Sequence, residues 1–450
     1  MRHRLTIATL VYLLAHGAAA RAMQDAAAAT PLRLSLKMAA QIALAPDGSA
    51  RVRLAEEYVR QARSQSAQAR AALLPHIDAS VGQQNQTRNL EAFGIGLVAP
   101  VPGIQFPTFV GPFNTFDARA TARQSVFDFS AIRRYQAARA GVGSAEAEQA
   151  RARDRVLADV ARAYLDALRA ETSMKTAAAN VEMAQALLDL AGSQKEVGTG
   201  IGIEVTRARV QLANEKQRLI AAQFEHRRAH LLLLRTMSLA LGTPIELTDA
   251  MEFVPVPSST PEQALALALE SRADWTAQLE RLESARLSHS SVKAERIPSV
   301  GVFGDYGAIG LGISDSLPTR TYGITVRVPV FDGGARDARR HQSLSQLHQE
   351  QIRTEDMRAQ IELEVRTALE ALRSTEEQVK TAEEGLALAE NELAQAQRRY
   401  KAGVSIGLEV TDAQTRVQRA RENRISALFA HNLARIQMAE ATGAMRQIVQ

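Results

Sequence analysis

The chain repeats itself. Gly198-Thr-Gly-Ile-Gly-Ile-Glu-Val-Thr-Arg-Ala-Arg-Val-Gln-Leu212 matches Gly403-Val-Ser-Ile-Gly-Leu-Glu-Val-Thr-Asp-Ala-Gln-Thr-Arg-Val417 at seven of fifteen positions, an offset of 205. Val126-Phe127-Asp128 returns as Val330-Phe331-Asp332, and Leu74-Pro75 returns as Ile297-Pro298, in the same order. An ordered duplication means that whatever unit the first half builds, the second half builds again. The copies run over 31–243 and 262–443, joined by a linker over 244–261 that carries Pro244, Pro255, Pro257 and Pro261. Pro75 and Phe127 are 52 positions apart, Pro298 and Phe331 only 33, so the first copy holds a longer loop, the Gly-, Pro- and Phe-rich stretch from Gly94 to Phe116.

Between each proline and its Phe-Asp pair the pattern has a period of two. Phe116, Ala118, Ala120 and Ala122 alternate with Asp117, Arg119, Thr121 and Arg123. In the second copy Tyr322, Ile324, Val326, Val328 and Val330 alternate with Thr321, Gly323, Thr325, Arg327 and Pro329. Ile77, Ala79 and Val81, and later Val300 and Val302, begin a weaker alternation. Each copy therefore predicts a hairpin, over about 75–129 and 298–332, with strands of roughly ten residues, the length of a tilted membrane strand. One face is apolar, and the other carries Arg119, Arg123 and Arg327, which would line a watery lumen.

After each hairpin the period becomes seven. Val365, Leu372, Val379, Leu386, Leu393 and Tyr400 recur at that interval, accompanied by Ala368, Thr375, Ala382, Ala389 and Ala396. Ala163, Ala170, Ala177, Ala184 and Ala191 repeat the design in the first copy. Such a repeat predicts coiled-coil packing, with alanine allowing close approach. Helices over 131–195 and 335–401 would each be roughly 100 Å long. Gly198 and Gly403 mark their ends, and Glu204 and Glu409 open the return helices, which last to about Gly242 and Gly443.

Composition narrows the class. Residues 1–22 read as a secretory signal peptide: Met1-Arg2-His3-Arg4, an apolar stretch from Leu5, then small-residue cleavage options at Ala20 and Ala22. With no cysteine in the chain, disulfides, thiolate metal sites and a cysteine-borne lipid are excluded. The 54 basic residues are interleaved with 49 acidic ones, which reads as a solvated helix surface rather than a nucleic-acid partner. An enzyme has little support, and no cofactor is implied. His226-Arg-Arg-Ala-His230 sets two imidazoles one turn apart, but lacks the glutamate of a zinc-protease helix, and no third ligand is evident. Gly304-Asp-Tyr-Gly-Ala-Ile-Gly-Leu-Gly312 lacks the Gly-Lys-Ser/Thr ending of a phosphate loop and reads as a hairpin tip.

Four membrane strands cannot close a sheet, and an open edge in hydrocarbon leaves backbone groups unpaired. Closure must come from other chains, with 8 strands in a dimer or 12 in a trimer as the small solutions. The duplicated strand entries and exits, the alanine-rich helices, and the turns Val197-Gly198-Thr199 and Ala402-Gly403-Val404 resemble the TolC-type outer-membrane efflux channels over nearly the whole mature chain. That resemblance implies a mainly α protein: long antiparallel coiled-coil helices forming a periplasmic tunnel, and four strands per chain contributing to a 12-stranded barrel in a homotrimer. It also implies a passive conduit in the outer membrane, docked to a periplasmic adaptor and an inner-membrane pump of RND or ABC type. By the same resemblance Val197, Gly198, Thr199, Ala402, Gly403 and Val404 are adaptor-contact tips. Glu409 and Asp412 match an acidic pore constriction, with Glu in place of the usual Asp at the first position. Glu204 and Arg207 are their counterparts in the first copy. The rival expectation is a secreted periplasmic coiled-coil adaptor or structural protein that never enters a membrane.

Overall fold

The computed structural model describes residues 31–46, 48–93, 108–198, 200–256 and 259–448. The presequence, Thr199, Pro257 and residues 94–107 of the long loop lie outside the described residues. The first copy contributes β1 (Leu32–Leu34), α1 (Leu36–Leu44), α2 (Ala50–Ala71), β2 (His76–Asn89), β3 (Phe109–Phe127), α3 (Phe129–Glu196) and α4 (Gly202–Thr236). The second contributes β4 (Ile245–Leu247), α5 (Pro261–Ser271), α6 (Ala273–Ala294), β5 (Ser299–Gly310), β6 (Leu317–Arg327), α7 (Ala335–Lys401) and α8 (Gly407–Thr442), and a short α9 (Met445–Ile448) follows. Each copy is thus strand, two helices, hairpin, long helix, return helix. Among the described residues no helix is long and apolar enough to cross a membrane.

Local chemistry explains most boundaries. Thr260 caps α5 by accepting from the Gln263 N–H, Gln263 answers to the Thr260 N–H, and Pro261 sits where no intrahelical N–H is needed. α8 ends on Gly443 in the left-handed region at φ 73°. The first return helix is shorter than its pattern predicts, because Ser238, not Gly242, takes the left-handed conformation at φ 60° and the chain turns there. β6 also stops early, at Arg327, since Pro329 has no N–H for a ladder. Most of the glycine-rich run at 304–312 is strand β5 rather than a hairpin tip. Gly307 is needed there because a Cβ would stand 2.4 Å from the Ala118 carbonyl oxygen on β3.

The chain forms two compact units that draw on both copies. One comprises Met1–Glu56, Glu148–Trp275 and Met357–Gln450, the other Glu57–Ala147 and Thr276–Asp356. In the first, α3 is buried on two faces over one stretch. Val156, Val160, Tyr164 and Ala167 pack with Leu34, Val52 and Leu233, while Leu157, Ala158, Ala161 and Leu165 pack with Ala40, Ile436 and Met445. A seven-residue stripe describes only one such face. The segment expected as a linker instead opens the second copy: its β4 pairs in parallel with β1, Tyr164 donates to the Leu34 carbonyl at 2.9 Å, and His431 Nε2 lies 3.0 Å from the Val254 carbonyl. The second unit holds the principal sheet.

Candidate functional site

That sheet is antiparallel in the order β2-β3-β5-β6, so β3 against β5 joins the two hairpins. Its register sorts side chains by face. Ala79 lies opposite Ala120, Ala120 opposite Tyr306, Val302 opposite Ile324 and Val300 opposite Val326. These positions form a mainly apolar face, on which Tyr322 is 83% and Ile77 74% exposed, with Arg320, opposite Tyr306, as a charge on it towards the β5–β6 turn. Asp78, Asp117, Arg119, Arg123, Asp305 and Arg327 fall on the other face by the same register. A bulge at Ser125/Phe127 brings Phe127 opposite Val300 and returns it to the apolar side.

The three arginines named from sequence are thus on one face but differently partnered. Arg119 donates to Asp305 at 2.7 Å and to Asp117 at 3.3 Å. Arg123 and Arg327 make no ion pair among the described residues. Within the chain the outer edges of β2 and β6 have no strand partner among the described residues. A sheet with an exposed apolar face, an opposite charged face and two open edges is a segment of a barrel wall, not a face packed on a core.

The helical turns, in the first unit, are a separate candidate site. Gly198 and Gly403 take φ of 80° and 73°, and nothing stands near the Cβ that either lacks, so both are required by backbone conformation rather than by space. At the second turn the Gly403 N–H reaches the Tyr400 carbonyl at 3.0 Å and the Val404 N–H the Arg399 carbonyl at 3.1 Å, the paired bonds of a Schellman ending. Val197, Ala402 and Val404 are exposed on these turns.

The acidic residues beside the turns have different environments. Glu204 Oε1 accepts from the Gly407 N–H at 3.0 Å, and its Oε2 accepts from the Tyr400 hydroxyl at 3.3 Å. Glu409 pairs with Arg399 at 3.5 Å, whereas Asp412 is exposed and makes no ion pair among the described residues. Arg207 is exposed and likewise makes none, although it shares a small hollow with Glu204, Tyr400 and Gly407. The packing that holds the four helices here comes from Leu187, Ala208, Leu393, Ala396, Val410 and Val417. The resemblance pointed to Glu204, Glu409 and Asp412 but not to Tyr400 and Arg399, which partner Glu204 and Glu409 here. A tyrosine at the last position of an apolar seam was the available signal, because its hydroxyl needs a partner.

A membrane-type hairpin followed by two long paired helices, present twice, defines a subunit of an outer-membrane channel. The chain belongs to the outer membrane efflux protein family, whose model matches residues 42–237 and 264–444. It is 22% identical over 416 residues to the pyoverdine export outer membrane protein OpmQ of Pseudomonas putida, covering 89% of this chain and 84% of that one. In fold it is similar to the Campylobacter jejuni CmeC outer membrane channel, with TM-score 0.78 and 17% identity over 91% of this chain and 85% of that one. It is similar also to the Vibrio cholerae outer membrane protein VceC, with TM-score 0.77 and 17% identity over 91% and 96%. These relatives are channels and transport proteins. The chain is an outer-membrane efflux or export channel protein, its helical part lying in the periplasm, and the soluble coiled-coil alternative is set aside.

Proposed function

We propose that three copies close a 12-stranded barrel and a passive conduit that carries solutes from the periplasm to the exterior. The observation that carries this reading is the four-stranded sheet, mainly apolar on one face and with no strand partner at either outer edge among the described residues. Pairing β2 of one copy with β6 of the next removes every edge, and three copies give a count known for closed membrane barrels. Arg123 and Arg327 then face the lumen.

In this reading the turns at Val197–Gly198 and Ala402–Val404, with Thr199 between them and the first return helix, receive the hairpins of a periplasmic adaptor. Glu409 and Asp412 repeat around the three-fold axis as a constriction, and Arg207 of the first copy meets acids of a neighbouring copy. An inner-membrane pump of RND or ABC type supplies the energy, since nothing in the conduit's chemistry does. Static light scattering of the detergent-purified protein, with planar-bilayer recording, tests the proposal. A trimer giving discrete ion currents supports it; a monomer released from cells without detergent overturns it.

A further inference from the structure

The paired histidines left without a third ligand by the sequence acquire one in the fold. Glu171 on α3 lies against His226 and His230 on α4, and one ligand atom from each of the three falls within 4.8 Å of the others. The two imidazole rings are 4.1 Å apart between centroids. His230 Nε2 is shielded from solvent and has no hydrogen-bond partner. A buried ring nitrogen without a partner is costly, and a neutral imidazole offers its lone pair as readily to a metal ion as to a proton donor.

We propose that Glu171, His226 and His230 bind a zinc ion that clips α3 to α4. Two imidazoles one helical turn apart and a carboxylate from the facing helix are a borderline donor set, suited to zinc, with water completing the tetrahedron. The carboxylate is mostly buried, at 21% side-chain exposure, and pairs at 2.6 Å with Lys175, whose side chain is 70% exposed. Lys175 can therefore swing into water when the cation arrives, and the positive charge at the carboxylate is exchanged rather than lost. The bond pattern needs no redox partner and no second chain.

The site is tested on full-length, untagged protein purified in detergent and stripped with chelator. Zinc alone is titrated by competition with a chromophoric indicator, and cobalt(II) serves as the spectroscopic probe. The expected result is one zinc per chain and an intense visible cobalt spectrum of tetrahedral type. His230→Ala and Glu171→Gln should each weaken binding by at least about tenfold, the lower range for disturbing even the groups that support a metal ligand. His348→Ala, an exposed histidine on α7, should leave binding unchanged. Circular dichroism of the stripped variants verifies that they are folded. Equal zinc affinity in wild type and both variants, or no zinc bound by the wild type, would overturn the assignment.

Discussion

Glu204 of the first copy accepts the backbone N–H of Gly407, the first residue of the second copy's return helix, at 3.0 Å. Ile406, at the N-cap of α8, makes no side-chain capping bond, so this carboxylate satisfies a helix-start donor from another element. Negative charge also suits that helix end. Glu204→Ala should cost about 1 kcal/mol locally, raising amide exchange over Gly407–Thr411 by about fivefold. Glu204→Gln keeps an acceptor and should fall in between. Exchange unchanged in the alanine variant would refute the capping role.

The same carboxylate acts on Tyr400. Burial first, and then the charge of Glu204 and its hydrogen bond, push the phenol up to about 12. The fold favours the neutral phenol, so its contribution is complete below the ordinary tyrosine value of about 10 and is lost as pH rises through about 12. Absorbance titration of phenolate formation should therefore show a late component that Tyr400→Phe removes. A Tyr400→Phe difference curve centred near the ordinary tyrosine value would show that the environment does not raise it.

The duplication, the strand alternation and the glycine turns were legible because each is a local signal with a fixed period or a required φ. Arg119, Arg123 and Arg327 sort to one face by parity alone, as the register bears out. Tertiary partners were not legible. Glu204 and Gly407 are 203 residues apart, and Glu171 is 55 positions before His226, so nothing in either neighbourhood announces the other. The two-sided burial of α3 near Tyr164 was hidden too, since alanine and leucine on adjacent faces blur into one apolar stretch.

The apolar face of the sheet should reject charge by position. Ala118, opposite Val81 and Ala308, lies at the middle of β3, and arginine on the lipid side of a barrel at mid-depth costs about 2–4 kcal/mol. Ala118→Arg should sharply reduce heat-resistant oligomer in the outer-membrane fraction on gels. Thr121→Arg, three residues away and on the charged face, should assemble normally. Equal assembly of the two variants would contradict the sidedness of the sheet.

Asp412, which makes no ion pair among the described residues, is the stronger source of field at the proposed constriction, whereas Glu409 is already met by Arg399. Replacing both by Glu409→Gln and Asp412→Asn leaves Arg399 uncompensated and removes six carboxylates from a trimer. Reversal potentials under a salt gradient should shift toward weaker cation preference, more so at low ionic strength where screening is slight. Selectivity identical to wild type at low salt would place these acids away from the ion path.

Arg272, between α5 and α6, holds a largely enclosed charge cluster in the periplasmic part. It pairs with Asp274 at 2.8 Å and Glu364 at 2.6 Å and donates to the Ala441 carbonyl, with only 12% of its side chain exposed. Burial would raise the Asp274 pKa, but the hydrogen bonds and charge of Arg272 outweigh it and hold the carboxyl below its usual value. A depressed carboxyl stabilises the fold above the unfolded value of about 3.9 and loses that contribution as pH falls through the folded one. Arg272→Met strands two carboxylates and should cost about 3–5 kcal/mol at neutral pH. Because the stranded acids then gain from protonation, the penalty should shrink as the pH is lowered toward 4. Thermal melts of the detergent-purified protein at pH 7 and pH 4 measure both, and a deficit that is the same at the two pH values would show that lost packing, not stranded charge, is the cause.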